Sequence, residues 1–200
     1  MQVKLEKTFP IDASASAAWQ VLRDIKAVAE CMPGAEVTEQ TDETHYKGSV
    51  RVKVGPATAA FRGNIEVKSA DPDKREIAVQ GKGSDVKGTS AASMDLIACV
   101  RDVDAGGCEL VGSSEVSVTG KMASFGGRMM TQVSEQILKQ FGQNFTNRVL
   151  ALGEGAGAEE AATKVAAQPR ELNGLALAWS ALVGFIKSLF GGNKKSKTAN

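Results

Sequence analysis

Few residues of this chain could do catalytic chemistry, and none stands in the company that catalysis needs. His45 is the single histidine of the 200 residues, set between Thr44 and Tyr46 in a predicted turn, where an exposed structural role outweighs acid–base or metal chemistry. Cys31, Cys99 and Cys108 lack both the C-x-x-C spacing of a zinc or redox site and the even number of a disulfide framework. They read as inert thiols in a reducing compartment. Gly81-Lys82-Gly83 is glycine-rich, but it has neither the strand-to-helix setting of a dinucleotide fingerprint nor the Lys-Ser/Thr ending of a phosphate loop. Asp95 falls on the polar side of an alternating run, where water solvates it. The sequence therefore predicts no catalytic residue and no metal site. What it does offer is apolar side chains at helical spacing, among them Met129, Met130, Val133, Ile137 and Phe141. Their chemistry is the enclosure of a hydrophobic surface, to which flexible thioethers are well suited.

Strands and helices must position these groups. Val3, Leu5, Lys7 and Phe9 share one side of an opening strand, with Lys7 the exception to its apolar character. Ser14 and Ser16 offer caps for a helix bearing Trp19 and Leu22, and a second short helix follows before Pro33-Gly34. From about residue 36 the period changes to two, and six strands follow, separated by turn residues. Helical spacing returns from about 126 to 150. The order strand, two short helices, six strands, long helix predicts an α+β helix-grip fold, a curved antiparallel sheet of about seven strands around the long helix.

Such a sheet encloses a pocket if its inward side chains are small, and Gly63, Ala92, Ala98, Gly112 and Ser114 lie among apolar neighbours. The expected lining is Val52, Phe61, Ile65, Met94 and Leu96 from the strands, Met122 and Phe125 from the connection, and the five helical residues above. The mouth is expected near Met122, Phe125 and Gly126-Gly127. A filled core, with the methionines as gap fillers, fits the spacing equally well.

Residues 1–150 hold 18 Lys and Arg against 19 Asp and Glu, a near-neutral domain that argues against nucleic acid as a partner. Its first residues alternate polar and apolar, without the hydrophobic run of a signal peptide, so the domain is expected to stay inside the cell. Residues 151–171 are an Ala/Gly/Glu-rich linker, flexible or partly helical. Residues 172–200 form an amphipathic tail with Leu175, Trp179, Leu182, Val183, Phe185, Ile186, Leu189 and Phe190 as its apolar residues. Lys194, Lys195 and Lys197 follow without counter-charge. The uncharged run is shorter than the ~20 residues of a spanning helix, so the tail is expected to lie flat on a membrane. A shallow span, or a helix folded back on the domain or on a partner, are the alternatives.

At Cys31-Met32-Pro33-Gly34-Ala35-Glu36 the sequence resembles the G-subunit family of carbon monoxide dehydrogenase, within the START-like superfamily of hydrophobic-ligand-binding domains. Lys53-Val54-Gly55-Pro56-Ala57, Phe61-Arg62-Gly63, Gly81–Asp85, Gly88–Ala91 and Val118–Gly126 carry the resemblance across nearly all of residues 1–150. It implies a non-catalytic accessory protein that recruits a molybdenum carbon monoxide dehydrogenase, or a related hydroxylase, to the cytoplasmic face of the cell membrane as a peripheral protein. Electrons from such an enzyme must reach a quinone dissolved in lipid, so menaquinone or ubiquinone is the expected ligand of the pocket. The rival readings are a scaffold or assembly factor without ligand, and an enzyme acting on a hydrophobic small molecule.

Overall fold

The computed structural model describes residues 1–54, 57–104, 106–153 and 156–168. The elements run β1 (Gln2–Ile11), α1 (Ala15–Leu22), α2 (Ile25–Cys31), β2 (Ala35–Gln40), β3 (His45–Val54), β4 (Ala57–Asp71), β5 (Glu76–Asp85), β6 (Ser90–Val103) and β7 (Gly107–Gly120). A 3-10 turn (Lys121–Phe125), α3 (Gly127–Leu150) and α4 (Ala156–Ala166) follow. Two side chains set the helix pair: Ser14 Oγ accepts the Ala17 N–H at 3.2 Å, and Asp24 Oδ1 accepts from Lys26 and Ala27 at 3.0 and 3.1 Å. Capping α2 with Asp24 gives it its own start and separates it from α1.

The seven strands form one antiparallel sheet in the order β1-β7-β6-β5-β4-β3-β2. β2 to β7 are thus a meander, and β1 closes it against β7, pairing Phe9 with Leu110 and Val3 with Val116. This is the helix-grip arrangement expected from the sequence. One detail differs. His45 opens β3 instead of lying in the turn, because Asp42 Oδ1 accepts the N–H groups of both Thr44 and His45 at 2.8 Å and completes the reversal just before it. The His45 ring is exposed and sits 2.9 Å from the same carboxylate.

Curvature follows from a cross-strand row of small residues: Gly48 pairs with Gly63, Gly63 with Gly83, and Gly83 with Ala92. A Cβ on Gly63 would lie 2.0 Å from the Lys82 carbonyl oxygen, so only glycine lets these backbones approach so closely. The main core lies toward the other end of the sheet, where α1, α2 and the second half of α3 meet the β strands. Phe145 and Val149 are fully buried there, and Phe141 packs edge-on against Phe9 with ring centroids 6.0 Å apart. Asn144 Nδ2 donates to the Cys31 carbonyl at 2.9 Å, tying α3 to the end of α2.

The stretch read as a linker over 151–171 holds α4, which packs against α3 with Ala161 buried. The expectations for the tail, from Leu175 to Lys197, lie outside the described residues. Among the described residues no helix is long and apolar enough to cross a membrane.

Candidate functional site

The two halves of α3 differ. Its second half supplies Phe141, Gly142, Asn144, Phe145 and Val149 to the buried core, whereas no residue between 127 and 140 is buried. Met129, Met130, Val133, Ile137 and Leu138 are each half-buried, so apolar side chains on the sheet-facing stripe stay partly within reach of solvent. The helix starts at Gly126, which makes no side-chain capping bond. It is clamped at one end and lightly held at the other.

Opposite this first half, the register fixes which residues share the concave face. Val116, Met94, Gly81, Ile65 and Tyr46 form one cross-strand row, and Ser114, Leu96, Val79 and Val67 form the next. Lys7, Gly112, Ala98 and Ile77 form a third. Three positions that face the helix are therefore Gly81, Ser114 and Gly112. A Cβ on Gly112 would meet nothing within 4 Å, and one on Gly81 would meet only the Met94 methyl at 3.8 Å. Unfilled space above a concave apolar floor is what a hydrophobic ligand needs.

Seven of the twelve residues expected to line the site gather in one cluster at the start of α3. Met122 is buried with Ala59 and Val118, and Val52, Phe61, Phe125, Met129, Met130 and Val133 pack around them. Ile65 and Leu96 border the main core, and Met94 sits between Gly81 and Val116. Ile137 is half-buried on α3, and Phe141 lies apart, inside the main core. Sequence reasoning did not find Gly81 or Met1 as neighbours of the site. Both owe their place to register, with Met1 bonded across the sheet to Val118.

The cluster is pinned by a chain of polar contacts built from the motif residues. Asp85 Oδ1 accepts from the backbone of Thr89 at 2.6 Å and of Ser90 at 3.0 Å, and the nearly buried Ser90 Oγ accepts the Met122 N–H at 3.0 Å. Desolvation alone would raise the Asp85 carboxyl, but the Ser90 N–H and the two Thr89 donors outweigh it and hold it below its ordinary value. Gly120 and Gly126, at φ 72° and 80°, frame the 3-10 turn that carries Met122 and Phe125. Burial pushes the Cys31 thiol up to about 12, the state of an inert core cysteine. Among the described residues no group of His, Cys, Asp and Glu could hold a metal ion.

Two open depressions lie elsewhere. One of about 580 Å³ is bounded by Gln20, Arg23, Asp24, Lys26, Gln40 and Tyr46, and one of about 490 Å³ by Arg62, Asn64, Lys82, Ser84, Ser93, Ser117 and Thr119. The second group alternates with the concave-face residues and so belongs to the outer side of the sheet. Gly63, Gly83, Ala91 and Ala92 complete the border of the second, and no α3 residue borders either.

Solved structures share the architecture. A conserved protein from Geobacillus kaustophilus is 17% identical, with a TM-score of 0.66 over 74% of this chain and 95% of its own. The Zhui aromatase/cyclase from Streptomyces sp. R1128 is 19% identical, with a TM-score of 0.55 over 78% and 100%. A START superfamily protein from Mycobacterium smegmatis is 14% identical, with a TM-score of 0.53 over 75% and 99%. At such identities these likenesses show the fold alone. No curated protein matches the sequence. The family model for the carbon monoxide dehydrogenase G subunit (CoxG) matches residues 8–150, the part that forms the sheet and α3, and the chain belongs to that family.

Proposed function

We propose that this protein is a non-catalytic accessory protein that holds a hydrophobic ligand between the concave sheet and the first half of α3. Family membership implies association with carbon monoxide dehydrogenase. The observation that carries the ligand reading is the open space over Gly112, on the same concave face as Gly81, set against a helix stripe whose apolar side chains are only half-buried. The ligand we favour is a respiratory quinone, menaquinone or ubiquinone, whose ring and isoprenoid chain match an apolar, methionine-rich lining.

In this reading the tail, through Leu175, Trp179, Ile186 and Phe190 with Lys194, Lys195 and Lys197, attaches the protein to the cytoplasmic face of the cell membrane. The domain then couples a molybdenum carbon monoxide dehydrogenase, or a related hydroxylase, to the quinone pool. The test is purification from the native host without detergent, followed by lipid extraction and mass analysis. An isoprenoid quinone near one per chain, with a rise in melting temperature when menaquinone or ubiquinone is added to stripped protein, is the expected result. No quinone in the extract and no thermal response would overturn the ligand assignment.

A further inference from the structure

We infer that the end of the domain where α3 begins is a docking face for an anionic lipid bilayer. The inference rests on the membrane reading above and specifies which surface of the folded domain meets the lipid. The first residues of β4 and the β5–β6 and β7–α3 connections all lie at this end: the Val86 N–H donates to the Ala60 carbonyl at 2.9 Å, and the Lys121 N–H to the Thr89 carbonyl at 3.1 Å. Val86, at the tip of the β5–β6 turn, is 57% exposed, and Phe125, at the end of the 3-10 turn, is only half-buried in the cluster around Met122. An apolar side chain at a turn tip gains nothing from water, but it gains from entering the headgroup region of a membrane.

Charge selects the same partner. Lys87, Lys121 and Arg128 are exposed around those apolar groups, and residues 117–134 contain no acidic side chain. The one acid of the β5–β6 turn, Asp85, is turned onto Thr89 and Ser90. The turns at the opposite end of the sheet carry Asp42, Glu43, Asp71, Asp73, Asp102 and Asp104, against Lys74 and Arg75. A domain near neutral overall is therefore polarised along its long axis, and an anionic surface attracts the α3 start and repels the other end. Docked this way, the apolar cluster of Met122, Phe125 and Met129 faces the lipid from which a hydrophobic ligand would enter.

The test uses the full chain with vesicles of phosphatidylcholine, with and without phosphatidylglycerol, carrying brominated acyl chains as fluorescence quenchers. Val86→Trp is compared with Ile97→Trp, an exposed site on the outer face of the sheet, each against the wild-type background of Trp19 and Trp179. Quenching at 86 and not at 97 is expected. The variant Lys87→Gln/Lys121→Gln/Arg128→Gln, which alters only exposed side chains, is expected to lower affinity for the anionic vesicles by on the order of a hundredfold, about fivefold for each cation. If the wild type binds but position 86 is unquenched and the triple variant binds as well as the wild type, the docking face is wrong and attachment by the tail stands. If the triple variant keeps its vesicle affinity and loses the dehydrogenase instead, the face belongs to an acidic protein and the inference is overturned. If the wild type binds no vesicles, the membrane reading falls together with it.

Discussion

Gly112→Leu puts the proposed chamber at stake in one substitution. Gly112 lies on the concave face between Lys7 of β1 and Ala98 of β6, and a Cβ there meets no atom within 4 Å. Replacing a glycine whose backbone a side chain can adopt stabilises by roughly 0.4–1 kcal/mol through the unfolded state. Half-burying the leucine against the floor adds about 1 kcal/mol, less ~0.5–1 kcal/mol of rotamer entropy. The net is a gain of about 1 kcal/mol, or a rise of ~2–4 °C in Tm for a chain of this size. Were the region packed solid, the same leucine would overpack it and cost ~1–3 kcal/mol. Thermal unfolding by circular dichroism of the stripped protein therefore reads the chamber by sign. The same variant, now with a filled chamber, should carry little or no quinone out of its host. A Tm lowered by about 4 °C or more, or a quinone content equal to that of the wild type, would refute the reasoning.

Gly63→Ala makes a nominally smaller change on the same face, yet it should lower stability by ~1–3 kcal/mol, since its Cβ would run into the Lys82 carbonyl 2.0 Å away. A denaturant melt with an unchanged midpoint would contradict this. Alkylation of the native protein should label the half-buried Cys99 and spare Cys31 and Cys108, which become reactive only on unfolding; mass mapping of the modified peptides checks the order. The Thr44 N–H, followed by the His45 ring, holds the Asp42 carboxyl down at about 2, below its ordinary 3.8. A depressed folded value means stabilisation present above pH 3.8 and lost as pH falls toward about 2. Asp42→Asn should flatten that part of the stability–pH curve, and a curve parallel to the wild type's would disprove the assignment. Hydrogen exchange should be faster across residues 127–138 than across 141–150, and equal protection of the two halves of α3 would remove the lightly held segment from the account.

Period and turn chemistry in the sequence were enough to place the strands, the helix pair and the long helix, because each has a strong local signature. Ser14 announced the start of α1, and the change to a period of two from about residue 36 announced the strands from β2 onward. The site was legible only in part. Met122, Phe125, Met129 and Met130 could be grouped because they are near in sequence and fall on one helix and its entry. Gly112 could be picked out by alternation, but Gly81 is set opposite α3 by strand register, a non-local property that a slip of one residue would reverse. Phe141 shows the complementary limit. Helical spacing gives it the same stripe as Val133 and Ile137, but spacing cannot tell where along a helix the gripping core stops.

That point along α3 is what joins fold to function. Asn144 and Phe145 fix the helix to α2 and the sheet, while the start of the helix depends on Met122, itself held through Ser90 and Asp85. If the proposed chamber opens, the core therefore need not loosen. On that reading it would need only residues 121–138 to lift, with Gly120 and Gly126 as the positions whose backbone already lies outside the range that other residues favour. The motif residues of the β5–β6 turn, which offer neither nucleophile nor base, serve as the latch of this segment. Cutting the latch with Ser90→Ala should speed exchange of the 121–138 amides and ligand release while leaving 141–150 protected, whereas uniform loss of protection would mean that Ser90 supports the whole fold.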